Sequence, residues 1–141
     1  MNNTGIVVAD LDASIAFFAT LGLEVEGRTV VDGGWAGAVT GLGRQRVEIA
    51  MLRTPGSDGR IELSRFIEPA VVADHRDAPV NALGYLRVMF EVDDLDATLE
   101  RAVAAGATLV STEVVRYEDV YRLCYLRGPD GLLIGLAEPL R

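Results

Sequence analysis

The sequence predicts an α+β fold of two tandem βαβββ modules, and an internal repeat is the main observation behind this prediction. The run IVVADLDA at residues 6–13 returns as FEVDDLDA at residues 90–97, an offset of 84 positions between Asp10 and Asp94. The same offset relates Gly22 to Gly106. A repeat of this length that occurs twice indicates two half-domains rather than a solenoid. Three extended segments after each predicted helix complete the pattern.

The first module begins with a β-branched run at residues 4–9, which favours a strand. Asp10 offers an N-cap carboxylate, and Gly22 can take the left-handed conformation that ends a helix. Between them, apolar side chains follow helical spacing at Leu11, Ile15, Phe18 and Leu21. Extended segments are predicted at about 23–31, 46–52 and 60–66, with a Pro-Gly-Ser-Asp-Gly turn before the last one.

The second module repeats this order. Asp94 caps the helix, Gly106 ends it, and the predicted apolar stripe consists of Leu95, Leu99, Ala102 and Val103. Extended segments follow at about 108–116, 121–127 and 132–137, with a Gly-Pro-Asp-Gly turn before the last one. We therefore predict a single domain over residues 1–141, with module one at about 1–67, a linker at about 68–83 and module two at about 84–141.

The composition narrows the possible partners and compartments. The formal net charge of -8, from 13 basic and 21 acidic residues, argues against a nucleic-acid partner, which needs a basic face. The single cysteine, Cys124, excludes an intrachain disulfide and fits a reducing compartment. No apolar run reaches the roughly 20 residues of a membrane span, and the first residues lack the pattern of a signal peptide. We therefore expect a cytoplasmic protein with no membrane partner.

The duplicated order of strand, Asp-Leu-Asp-Ala helix start, glycine helix end and three strands resembles the vicinal oxygen chelate superfamily. Glyoxalase I, methylmalonyl-CoA epimerase, extradiol dioxygenases, fosfomycin-resistance enzymes and bleomycin-binding proteins belong to it. The resemblance covers nearly the whole chain. It implies two curled mixed sheets, or half-barrels, around a cavity with the helices outside, a small-molecule ligand, and a homodimer of the bleomycin-resistance type.

The same resemblance locates four metal-ligand positions, two in each module. In this sequence they hold Asn3 and Glu62 in the first module and Arg87 and Gly135 in the second, where histidines and glutamates are usual. Only Glu62 is a good ligand, because a guanidinium donates hydrogen bonds and repels a cation, and glycine has no side chain. The one histidine, His75, lies in the linker and does not replace the missing ligands. We therefore expect no metal and no other cofactor.

An ion pair between Arg87 and Glu62 is the predicted replacement for the metal. Strand alternation and the resemblance place both side chains on the cavity face, and a charge enclosed there without a partner is costly. Such a pair could simply hold the two sheets in register. Alternatively, a guanidinium only partly satisfied by Glu62 could fork onto a carboxylate or carbonyl of a ligand.

Four other residues are candidates for contact with the ligand. Trp35 follows two glycines in a stretch predicted to be flexible, where it could be a stacking lid or a core plug. Tyr121 falls on one face of the segment 121–127, and Arg122 and Cys124 on the other, but alternation alone does not say which face is inward. Cys124 is a nucleophile if Arg122 lowers its pKa, or else a small buried hydrophobic residue.

Two functions from different classes agree with these patterns. The first is a glyoxalase/bleomycin-resistance-like protein that binds a small organic molecule in a cavity without the usual divalent metal. The second is a lyase or isomerase of the lactoylglutathione-lyase type, which acts on an α-oxo compound or its thiol adduct with Glu62 as the base. Loss of three ligand positions favours the first, whereas the second depends on Glu62 and on analogy of fold.

Overall fold

The computed structural model describes residues 1–141, and the chain divides into two units, Met1–Ala73 and Asp74–Arg141. The division falls inside the segment predicted as the linker. Each unit contains one βαβββ arrangement with its own mixed sheet, which confirms the predicted fold class. No helix is long and apolar enough to cross a membrane.

The first unit contains a four-stranded sheet and two helices. Its elements are β1 Thr4–Val7, α1 Leu11–Ala19, β2 Glu24–Gly33, α2 Gly34–Thr40, β3 Gln45–Arg53 and β4 Arg60–Glu68. The strand order is β1-β4-β3-β2, with β1 parallel to β4 and the other neighbours antiparallel. The crossover through α1 gives the parallel pair, as a βαβ connection requires.

The second unit repeats this topology. Its elements are β5 Arg87–Glu91, α3 Leu95–Ala104, β6 Thr108–Leu109, β7 Val115–Tyr117, β8 Tyr121–Arg127 and β9 Leu133–Pro139. The order is β5-β9-β8-β6, and β7 also pairs with β8. The single extended segment predicted at 108–116 is therefore wrong in detail, because it consists of two short strands that pair separately with β8.

Identical hydrogen bonds begin the two long helices. The carboxylates of Asp10 and Asp94 accept from the backbone N–H three residues later, each at 3.0 Å. In addition, the buried hydroxyls of Ser14 and Thr98 donate to the carbonyls of these capping residues at 2.6 and 2.7 Å. The offset of 84 thus also relates Ser14 to Thr98. Each buried hydroxyl is tolerated in the core because it forms a hydrogen bond.

Each of these helices covers one face of its sheet. Under α1 lie Ala50, Leu52 and Leu63, which are fully buried. The matching residues of the second unit are Phe90, Cys124, Leu126, Ile134 and Leu136. The stripe predicted for α3 is wrong at Val103, which is 48% exposed because it points away from the sheet. The opposite face of each sheet carries the residues of the candidate site.

The stretch around Trp35 is a helix rather than the predicted flexible loop. Helix α2 begins at Gly34 directly after β2 and packs against β2 and β3, while Trp35 itself is 66% exposed. A Cβ atom on Gly37 would lie 1.3 Å from the carbonyl oxygen of Gly43, so only glycine allows the returning chain to pass this closely. Gly37 therefore serves close packing, whereas Gly34, one of the two glycines that predicted flexibility, has open space around it.

Residues 74–86, called the strap below, precede β5 and lie against the second sheet. The guanidinium of Arg127 donates to the carbonyls of His75 and Ala78 and to the hydroxyl of Tyr85, at 3.1, 2.6 and 3.0 Å. The imidazole of His75 stacks on the ring of Tyr85, with 5.0 Å between the ring centroids. The linker histidine thus belongs to an ordered cluster within the second unit.

Candidate functional site

The first unit keeps one carboxylate at the predicted ligand positions. Glu62 lies in the middle of β4, in register with Gly5 on β1 and Met51 on β3, on the face opposite α1. Its side chain is half-buried, and no hydrogen bond or ion pair links it to another residue of its own unit. Asn3 lies directly before β1, and its amide donates to the side-chain oxygen of Asn2 at 2.9 Å. Glu62 is therefore an available acceptor between Gly5 and Met51.

The second unit has no acceptor at the two corresponding positions. Gly135 lies in the middle of β9, in register with Met89 on β5 and Tyr125 on β8. A Cβ atom on Gly135 would lie 2.7 Å from the terminal methyl carbon of Met89. The methionine side chain thus fills the space into which a longer side chain at 135 would extend. The offset of 84 relates Gly5 to Met89, so the small residue and the large one have exchanged strands between the modules.

Arg87 occupies the other ligand position of the second module, and it binds an aromatic residue rather than a carboxylate of its own unit. Its guanidinium donates through Nη1 to the hydroxyl of Tyr125, and Cζ lies 4.9 Å from the centroid of that ring. The predicted site omitted Tyr125. Its alternation with Tyr121 was the signal that could have found it, since both side chains fall on one face of β8. The predicted Arg87–Glu62 ion pair would join one unit to the other, and it stays a prediction.

The structure assigns the two faces of β8. Arg122 donates to both carboxylate oxygens of Asp96 on α3, at 2.9 and 3.0 Å, so it lies on the helix side with Cys124. Tyr121 shares the opposite face with Tyr125. Neither Arg122 nor Cys124 therefore shares a face with Arg87, contrary to their grouping with it as residues of one ligand site.

The reactive role considered for Cys124 is opposed by its surroundings. The side chain is 1% exposed, and burial raises the pKa of the thiol by more than the charge of Arg122 lowers it. Arg122 is already bound to Asp96, whose pKa its hydrogen bonds hold below the ordinary value. Cys124 is therefore a small hydrophobic residue of the core, which was the second of the two interpretations.

Arg65, which follows Glu62 on β4, also points to the helix side. It pairs with Glu48 on β3 at 2.7 Å, and the two residues are register partners. In the second unit, the register partners Arg122 and Glu138 form the matching pair at 3.6 Å with the charges exchanged. These cross-strand pairs lie beside the helix starts, on the faces opposite to those of Glu62 and Arg87.

Comparison with known proteins identifies the family. The family model of the glyoxalase/bleomycin resistance protein/dioxygenase superfamily matches residues 2–125. The chain belongs to this superfamily. It is 27% identical over 133 residues to the uncharacterized protein YwbC of Bacillus subtilis (strain 168), a match that covers 93% of this chain and 90% of that protein.

Two solved structures illustrate the range of the superfamily. A glyoxalase family protein from Bacillus cereus is 61% identical, with a TM-score of 0.95 over 100% of this chain and 94% of that one. The fosfomycin resistance protein FosX from Listeria monocytogenes, solved with Mn(II) and 1S,2S-dihydroxypropylphosphonic acid, is 15% identical. Its TM-score is 0.62 over 96% of this chain and 86% of that one, which shows a shared fold alone.

The residues at the metal positions of the glyoxalase superfamily do not fit a divalent ion in this chain. No group of three or more His, Cys, Asp or Glu side chains is arranged to hold a metal. Arg87 offers only donors, Gly135 is covered by Met89, and the amide of Asn3 is bound to Asn2. Glu62 alone cannot supply the several anionic or imidazole ligands that transition-metal sites use. We therefore assign no step to a metal.

Proposed function

We propose that this superfamily member binds a small organic molecule without a divalent metal, as a glyoxalase/bleomycin-resistance-like binding protein. The observation that carries the proposal is the replacement of both ligand positions in the second module by a hydrogen-bond donor and by a bare backbone covered with Met89. Such a surface combines one charged group with apolar area, which is the usual chemistry of small-molecule sites.

Each unit contributes proposed ligand contacts of its own. Glu62 offers an acceptor beside Met51, and Arg87 with Tyr125 offers donors beside Met89. Trp35 and Tyr121 are further proposed ligand contacts, because Trp35 is exposed and Tyr121 is only half-buried. We place the protein in the cytoplasm, where an unpaired cysteine stays reduced.

A homodimer is part of the same proposal. Strand β2 is an edge strand, and nearly all of its residues are exposed, among them Val25 and Val30. An exposed apolar edge invites pairing unless another chain covers it. Sedimentation of the purified protein should therefore show twice the mass of the 15.1 kDa chain.

Metal analysis and a ligand screen test the binding function together. We expect the purified protein to contain zinc, nickel or manganese far below one ion per chain, and added metal to leave the melting temperature unchanged. A thermal-shift screen of antibiotics, thiol conjugates and keto acids should then find stabilising compounds in the presence of a chelator, since a ligand specific to the folded state raises its stability. Stoichiometric metal, or stabilisation that a chelator removes, would overturn the proposal.

One observation favours the alternative, a glyoxalase-like lyase or isomerase. Glu62 has no partner in its own unit, so its carboxylate is available to remove a proton from a bound α-oxo compound or thiol adduct. The test is the isomerisation of the hemithioacetal of methylglyoxal and glutathione, followed by absorbance.

If the alternative is correct, Glu62→Gln should lower kcat by about 100-fold or more while the fold is kept, because the amide cannot accept the proton. Glu113→Gln, at an exposed acidic residue with no ion pair, is the matched control and should leave kcat unchanged. The binding proposal instead predicts no turnover above the background reaction. Turnover that Glu62→Gln does not reduce contradicts the role of Glu62 as the base.

A further inference from the structure

We infer that the small molecule carries a carboxylate group, which Arg87 on β5 and Tyr125 on β8 receive. The inference rests on the proposed function, because it assigns a ligand class to the same site. The face of the second sheet opposite α3 carries four residues on adjacent strands, namely Arg87, Met89, Gly135 and Tyr125.

The hydrogen bond within this pair leaves donors free on both side chains. A guanidinium has five N–H donors, and Arg87 uses one of them on the hydroxyl oxygen of Tyr125. Because that oxygen accepts from Arg87, the phenolic proton is directed to another acceptor. The pair therefore presents N–H and O–H groups together, which match a group with two acceptor oxygens and no donor. A carboxylate has this geometry and the complementary charge.

Arg87 has no carboxylate partner in its own unit, unlike most arginines of this acidic chain. Other arginines in both units pair with carboxylates, for example Arg53 with Glu24 at 2.6 Å and Arg116 with Asp119 at 2.6 Å. No carboxylate of the second unit pairs with Arg87, although acidic residues outnumber basic ones by 21 to 13. Arg127 lies in the same row as Arg87, since both are register partners of Leu133, and it binds backbone carbonyls and adds a second positive charge. The face is thus locally positive on a negative protein.

The surface beside this pair is apolar. Met89 is 43% exposed and lies over the bare backbone of Gly135, next to the ring of Tyr125. A ligand whose carboxylate binds Arg87 can therefore lay an apolar or aromatic body on Met89. This arrangement predicts a preference for carboxylates with an apolar body over small hydrophilic anions such as inorganic phosphate.

Benzoate and benzamide are suitable probes, because they share a ring and a planar head group but differ in charge and donors. In amide-detected NMR titrations with a chelator present, we expect benzoate to shift the resonances of Gly135, Met89 and Tyr125. Benzamide and inorganic phosphate should bind about 10-fold more weakly or not at all, since a charge-assisted pair is worth about this factor.

Two variants test the assignment of the residues. Arg87→Met should weaken benzoate binding about 10-fold or more, and Tyr125→Phe should weaken it by a smaller factor of about 3 to 10, because it removes one neutral donor and keeps the ring. The matched controls are Arg44→Met, an exposed arginine of the first unit, and Tyr117→Phe, an exposed tyrosine. Both controls should bind benzoate as the unmodified chain does.

Equal affinity for benzoate and benzamide, or benzoate affinity unchanged by Arg87→Met, overturns the inference. So does the absence of shifts near Gly135. Different outcomes decide between this inference and the proposed metal-free binding. Ligands that stabilise the chelator-treated protein but are all neutral or cationic support metal-free binding and overturn the carboxylate assignment. Benzoate binding that is sensitive to Arg87→Met but disappears with the chelator supports the role of Arg87 and overturns metal-free binding.

Discussion

Replacement of Gly131 by alanine is expected to destabilise the protein by about 3 kcal/mol, because two separate costs add at this position. Gly131 has φ +79°, and a side chain in this left-handed region costs about 1 kcal/mol or more. The new Cβ atom would also lie 2.3 Å from the backbone nitrogen of Arg76 and 2.4 Å from the carbonyl carbon of His75. Since both are backbone atoms, the strap must move, at about 1–3 kcal/mol. Thermal unfolding should show a decrease in Tm of about 10 °C.

Gly56 provides the matched control for this substitution. Its φ is +81°, nearly the same as at Gly131, but no atom lies within 4 Å of the position that a Cβ would take. Gly56→Ala should therefore show the backbone cost alone, about 1 kcal/mol. The difference between the two variants measures how tightly the strap packs on the turn before β9. Equal losses of stability in the two variants would contradict this packing.

The elements that could be predicted from the sequence are those set by local chemistry. Asp10 and Asp94 cap helices because a carboxylate at that position accepts a nearby N–H, whatever the rest of the chain does. The glycine-rich turns before β4 and β9 were predictable for a similar reason. The repeat then showed that these local signals belong to two modules, and the two modules predicted the fold class.

The errors arise where packing over long distances decides. The glycines around Trp35 indicate a loop by composition, yet Gly37 is needed for the close approach of Gly43 to α2. Alternation in β8 defines two faces but does not say which of them α3 covers. The ion pair of Arg122 with Asp96 on α3 shows which face the helix covers, and this contact is seen only in the folded structure. Cys124 was therefore predicted as a candidate ligand contact, although it belongs to the core.

At the candidate site, the sequence shows the residue types but not their contacts. Residue identities at Asn3, Arg87 and Gly135 were enough to argue against a metal, because ligand chemistry can be judged from side-chain type. The surroundings of Arg87 and Gly135 in the second module depend on neighbours from other strands. Met89 covers Gly135 and Tyr125 binds Arg87 because β5, β9 and β8 are adjacent, and that order follows from strand pairing.

The contacts of the strap depend most on Arg127, and Arg127→Met is expected to destabilise the protein by about 2–3 kcal/mol. The substitution keeps much of the aliphatic stem but removes three hydrogen bonds, to the carbonyls of His75 and Ala78 and to the hydroxyl of Tyr85. Two carbonyl acceptors then lose a charged donor, which costs more than loss of a neutral hydrogen bond. Denaturant unfolding should show a lower midpoint with an unchanged slope.

A purely global loss of stability would not identify the strap as the part affected, so the second measurement is hydrogen exchange. In Arg127→Met, the amides of His75 and Ala78, which donate within the turn and to Asp130, should exchange faster by a larger factor than those of β3 and β4. Arg76→Met is the matched control, because it removes an arginine of the strap that makes only an exposed ion pair with Asp74. It should change the midpoint little. Exchange that accelerates equally throughout the chain would mean that Arg127 stabilises the whole protein rather than the strap.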